Sequence, residues 1–67
     1  MNININGMAW ICQQDTLTVS QLLQIKGIST QGTAVAVNGR LCKSDTWDST
    51  YIKEADEVSI ISAAFGG

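Results

Sequence analysis

Few residues in this 67-residue chain can carry chemistry, and their types limit what that chemistry is. There is no histidine, which removes Ser-His-Asp and Cys-His nucleophilic machinery, imidazole acid–base work and nearly all zinc sites. The two cysteines, Cys12 and Cys42, fit neither a disulfide-rich framework nor a metal-binding spacing. They read first as small buried hydrophobes. Cys42 stands close in sequence to Arg40 and Lys43, so a thiol activated by positive neighbours is the one enzymatic reading left open. Asp45, Asp48, Glu54, Asp56 and Glu57 are not ordered into a catalytic pair. They read as solvated charges or as contacts for a basic surface on a partner. The sequence closes on Gly66-Gly67, a pair that by itself reads first as an ordinary frayed terminus. Without a Cβ, such a pair passes through narrow channels and takes backbone conformations closed to other residues. Gly67 offers an unhindered carboxylate, but an ionised carboxylate is inert to nucleophiles. With no histidine and no ordered pair of carboxylates, the chain reads as something acted upon rather than as an enzyme.

Size and composition agree with that reading. A chain this short is one domain, residues 1–67, and cannot wall in a deep catalytic cavity. Hydrophobic residues make up 45% and charged residues 15%, which suits a packed domain and argues against disorder. Six acids and four bases are dispersed along the chain for a net charge of −2. Nucleic-acid binding needs a concentrated basic face to displace counterions, and there is none. The apolar runs fall short of a membrane span, and the opening MNININ has no positive start or apolar signal segment. The expected setting is cytoplasmic, with neither membrane nor nucleic acid as partner.

The elements that must position the tail follow from local patterns. Asn2-Ile3-Asn4-Ile5-Asn6 alternates polar and apolar residues, as a half-buried strand does, and Asn6-Gly7 is the preferred two-residue hairpin turn. That turn sets Ile5 opposite Met8 and Ile3 opposite Trp10, so Ile3, Ile5, Met8, Trp10 and Cys12 form one apolar surface. A helix is predicted after Thr18, which caps it in a capping box with Gln21. Val19, Leu22 and Leu23 then face inward beside the stem of Lys26, and Gly27 ends the helix with Ile28 as the following contact.

Ala34–Val37 reads as a covered strand that turns at Asn38-Gly39 into Arg40-Leu41-Cys42-Lys43. A two-residue turn there would set Arg40 opposite Val37, so the alternatives are that register or a longer loop or bulge. Ser44-Asp45-Thr46-Trp47 reads as a short helical turn opened by Ser44 or Asp45, with Trp47 as a lid on the core. Tyr51 and Ile52 are the expected anchors of the next connection. Glu57–Ala64 is the last strand, with Val58 and Ile60 on one face and Ile61 and Ala63 on the other. Two hairpins, one helix and an apolar final strand predict an α+β, β-grasp (ubiquitin-like) fold. Its mixed sheet has four to five strands packed on one main helix, with the last strand central and parallel to the first.

In this order and spacing the chain resembles the ThiS family, the sulfur carriers of thiamin biosynthesis. The resemblance spans nearly the whole chain. It rests on the Asn-rich first hairpin, Thr18-Val19-x-x-Leu22-Leu23, Ala34-Val35-Ala36-Val37-Asn38-Gly39, Trp47 and the terminal Gly66-Gly67. Two places depart from it: Cys42-Lys43, where family members commonly have Val-Pro, and Glu54-Ala55-Asp56, where many carry a glycine. The resemblance implies that an E1-like, ThiF-type enzyme uses ATP to adenylate the Gly67 carboxylate. A persulfide enzyme then supplies sulfur, and the resulting thiocarboxylate donates it to a ThiG-type thiazole synthase. No bound cofactor and no metal are implied. The expected partner-binding patch is Ile61, Ala63, Ala64 and Phe65, with 65–67 as a flexible tail through Gly66 to Gly67. For Ile61 and Ala63 the alternative is ordinary burial. Carriers for molybdopterin synthesis share fold and tail but are usually longer, so length favours the thiamin branch. A non-covalent ubiquitin-like interaction module is the remaining alternative.

Overall fold

The computed structural model describes residues 1–62. Strands β1 (Asn2–Ile5) and β2 (Met8–Ile11) form the first hairpin, with Ile5 opposite Met8 and Ile3 opposite Trp10 as the turn requires. Asn6 and Gly7 both take positive φ, 52° and 81°, the geometry of a type I′ turn whose twist matches that of its strands. Ile3, Ile5 and Cys12 on the shared face are buried and Trp10 is half-buried. Met8 departs from expectation. It shares the face but is 73% exposed, because it flanks the turn at the end of the sheet.

Strand β3 (Leu17–Thr18) runs straight into helix α1 (Val19–Lys26). The predicted capping box is present: the Gln21 N–H donates to Thr18 Oγ1 at 3.1 Å and the Thr18 N–H donates to Gln21 Oε1 at 2.9 Å. Two of the orphan donors at the helix start are thereby satisfied. At the other end Gly27 sits at φ 70°. Its N–H reaches Gln24 O at 3.1 Å, and the Ile28 N–H reaches Leu23 O at 2.9 Å, which is the Schellman pattern. Val19, Leu22 and Leu23 are fully buried, and Ile28 packs against the same core. Each side chain of this size contributes roughly 1.5–3 kcal/mol by leaving water, so packing rather than helix propensity holds so short a helix.

Strands β4 (Thr33–Val37) and β5 (Arg40–Cys42) form the second hairpin. Asn38 and Gly39, at φ 53° and 82°, repeat the geometry of the first turn. Val37 therefore pairs with Arg40 directly, and no bulge intervenes. The pairing is tolerated because Arg40 lies where the sheet is open to solvent. A 3₁₀ turn over Ser44–Thr46 follows, entered from Lys43 with no side-chain cap, so neither Ser44 nor Asp45 opens it. Trp47 is 3% exposed and its Nε1–H donates to Cys42 O at 2.9 Å, closing the core as expected.

Strand β6 (Tyr51–Ile52) pairs antiparallel with β3 in a small second sheet that local pattern did not predict. Ile52 is buried, but Tyr51 is 56% exposed and does not anchor the core, because in a two-residue strand the neighbouring side chains point to opposite faces. Strand β7 (Glu57–Ser62) runs parallel to β1 and antiparallel to β4, at the middle of the order β2-β1-β7-β4-β5. One helix packed on a mixed five-stranded sheet is the predicted β-grasp.

Candidate functional site

Strand β7 is followed by residues 63–67, and its register decides which surface lies beside its end. Within β7, Val58, Ile60 and Ser62 face inward and Ile61 faces out, 71% exposed. Of the two readings of Ile61, exposure removes ordinary burial. The register then brings residues from two other strands to its side. Ala34 pairs with Ile61, Ala36 pairs with Ser59, and Ala36 also pairs with Leu41. Leu41 is 72% exposed. Cross-strand partners share a face, so Ile61, Ala34, Ala36 and Leu41 make an apolar strip on the side of the sheet away from α1. The small alanines leave a flat floor between two large aliphatic side chains. Leu41, Ala34 and Ala36 were not picked out from sequence. Their signal was the strand register, which the Arg40–Val37 ambiguity obscured.

The end of β7 is held from both sides. On one side β4 pairs with it as far as Thr33 opposite Ser62, and the two hydroxyls lie 3.3 Å apart. On the other side β1 has already turned away, and Asn6 takes over. Its Nδ2–H donates to Ile60 O at 3.1 Å, and its Oδ1 accepts the Ile60 N–H at 2.8 Å. A side-chain amide thus completes the ladder where backbone has run out. Ala63, Ala64, Phe65, Gly66 and Gly67 lie outside the described residues.

The remaining reactive groups have structural surroundings. Cys12 is buried and its Sγ accepts the Gln14 N–H at 3.4 Å. Cys42 is half-buried, with its Sγ 3.7 Å from the Thr46 hydroxyl. Two carboxylates read as solvated charges are in fact fasteners. Asp56 accepts the Lys53 N–H at 2.8 Å and Asn38 Nδ2–H at 3.0 Å, while Glu54 accepts the Asn2 N–H at 3.0 Å. Among the described residues no group of three or more His, Cys, Asp or Glu is placed to hold a metal ion, and no helix is long and apolar enough to cross a membrane.

Comparison with known proteins bears on this arrangement directly. The family model described as "ThiS family" matches residues 3–67. The chain is similar to the crystal structure of a thiamine biosynthesis protein (ThiS) from Geobacter metallireducens. The TM-score is 0.86 and the identity 25%, over 92% of this chain and 93% of that one. It is also similar to a solution NMR structure of a thiamine biosynthesis protein from Geobacter metallireducens, with a TM-score of 0.78 and 25% identity over 91% and 81% of the two chains. A search of curated proteins finds no match. With a family match over nearly its full length and the same fold, the chain belongs to the ThiS family.

Proposed function

We propose that this chain is a sulfur carrier in thiamin biosynthesis, working in the cytoplasm, and that its Gly67 carboxylate is the group that bears sulfur. The observation that carries the reading is the family match over residues 3–67, which takes in Gly66-Gly67 together with the folded body. An E1-like, ThiF-type enzyme adenylates the carboxylate with ATP and releases pyrophosphate. The terminal sulfur of a persulfide, held by a sulfur-donating enzyme, displaces AMP to give an acyl disulfide. A thiol then cleaves that disulfide and leaves the thiocarboxylate, which a ThiG-type thiazole synthase consumes. The chain contributes no catalytic group and holds no cofactor of its own.

Its contribution is docking and reach. The strip of Ile61, Ala34, Ala36 and Leu41 supplies apolar area against a partner, and Ala63, Ala64 and Phe65 are the further residues assigned to that contact. With β7 held as far as Ser62, the five residues that follow can span at most about 18 Å. That reach allows Gly67 to enter a partner's site while the body stays outside.

Intact-mass analysis tests the proposal. After incubation with ATP, the activating enzyme and a sulfur source, the chain should gain the mass difference between sulfur and oxygen, and a variant lacking Gly67 should not. An unchanged mass alongside normal partner binding would instead favour a non-covalent module. Presenting the sulfurated chain to thiazole synthase and to molybdopterin synthase separates the two pathways.

A further inference from the structure

Strand β2 is one of the two edges of the five-stranded sheet, and it lacks the devices that keep sheet edges apart. Met8-Ala9-Trp10-Ile11 contains no charge and no proline, and it pairs with β1 without a bulge. Apolar edges of this kind are templates for another strand. The opposite edge, β5, is three residues long, begins at Arg40 and is followed by Lys43. Of the two edges, β2 is the unguarded one.

The direction of its backbone groups follows from the ladder. The Cys12 N–H donates to Met1 O at 2.8 Å, and the Met1 ammonium donates to Cys12 O at 2.8 Å. Antiparallel partners alternate between bonded and non-bonded pairs, so Ile3–Trp10 and Ile5–Met8 are bonded pairs as well. Strand β1 agrees, since the Asn4 and Asn6 N–H groups point the other way, to Asp56 O at 3.0 Å and Val58 O at 2.9 Å. The N–H and C=O of Ala9 and Ile11 therefore face outward from the sheet edge.

We propose that β2 pairs with β2 of a second copy of this chain, antiparallel, to form one continuous sheet. The outward groups set the register. With Ala9 opposite Ile11 of the second copy, both outward residues bond to strand residues, giving about four main-chain hydrogen bonds. A shift by two residues in either direction brings Gly7 of the turn or Gln13 beyond the strand into the ladder. The side chains suit this register. On the open face Ile11, 69% exposed, lies beside the small Ala9 of the other copy. On the helix face Trp10 meets its twin at the two-fold axis, in a non-bonded pair where side chains approach most closely. The occupant is a second copy because the edge is complementary to itself under this rotation and neither strand carries a charge, the side-chain cation beside it being Lys26, whose Nζ lies 5.3 Å from the centre of the Trp10 ring. So short an edge buries less than the roughly 1,200–2,000 Å² of stable complexes, so the dimer is weak and concentration-dependent. Ile61, on the central strand β7, and Leu41, on the opposite edge β5, lie away from the β2 edge and stay uncovered.

Sedimentation equilibrium on the full chain, from roughly 10 µM to 1 mM, tests the pairing. The average mass should climb from 7.2 kDa towards twice that value. Amide exchange at Ala9 and Ile11 should slow as concentration rises, while exchange at Met8 and Trp10 should not change. Ala9→Pro removes an outward N–H and leaves the β1 ladder untouched, and it should abolish association. Ile11→Lys, at an exposed position, should do the same by like-charge repulsion and serves if the proline variant fails to fold. A mass fixed at 7.2 kDa throughout, or association with concentration-independent exchange at Ala9 and Ile11, would overturn the proposal. So would association that the folded variants leave intact.

Discussion

Replacing Ala55 by glycine should stabilise this protein. Lys53 to Asp56 form a turn in which the Asp56 N–H reaches Lys53 O at 3.1 Å and Ala55 stands at φ +70°. Positive φ at the third residue alone is the type II pattern, which asks for glycine. An L side chain in that region costs roughly 1–2 kcal/mol from its Cβ. Ala55 is exposed, so removing its methyl forfeits little packing. The turn's anchors are untouched, because the Ala55 N–H to Asn2 O bond of 2.7 Å and the Asp56 carboxylate bonds do not use the alanine side chain. Against the gain stands the extra freedom of glycine in the unfolded chain, about 0.4–1 kcal/mol. The net is a stabilisation of about 0.5–1 kcal/mol, equivalent to a rise in Tm of roughly 2–8 °C for a domain of this size. Thermal and urea unfolding would measure it, with the urea slope unchanged because the surface exposed on unfolding is the same. Ala55→Val should lower stability, since branching at Cβ aggravates the clash. A glycine variant that melts at or below the parent temperature would refute the claim that this turn is strained.

Three further outcomes are expected. Ile61→Glu and Leu41→Glu, at positions 71% and 72% exposed, should leave the unfolding free energy within about 0.5 kcal/mol of parent and raise the KM for adenylation by roughly tenfold or more. Unchanged kinetics would remove the strip as a docking surface. Trp47→Ala should cost about 3–5 kcal/mol, leaving a small domain largely unfolded by circular dichroism at room temperature. Cys42→Ser should retain full sulfur transfer in the intact-mass assay, and loss of transfer would revive a nucleophilic role for that thiol.

What could be read from the sequence was local. Asn6-Gly7 carries turn chemistry that sets a register by itself, and the Thr18–Gln21 box and Gly27 mark the helix ends within a few residues. Ladders between distant segments were harder. Residues 17–18 pair with 51–52, too few on either side for alternation to show, and so the exposure of Tyr51 was missed. The apolar strip needed the β4–β5 register to be settled before Leu41 could be placed with Ala36 and Ile61. Asp56 and Glu54 looked like surface charges because the backbone donors they serve sit in other turns. Ile61 was legible from the alternation of β7. The same alternation sets Ala63 beside Ile61, and Ala63, Ala64, Phe65, Gly66 and Gly67 lie outside the described residues.

The strand that joins the two hairpins follows both of them in the chain. Strands β1 and β4 meet only through β7, residues 57–62, so a nascent chain halted earlier holds two hairpins with no common sheet. Closing the sheet requires contacts between β1 and β7, which delays cooperative folding until β7 has been translated. Prematurely terminated products therefore stay open to proteolysis. The pool of folded protein thus consists of chains that already carry β7, with the strand leading to residues 63–67 in place.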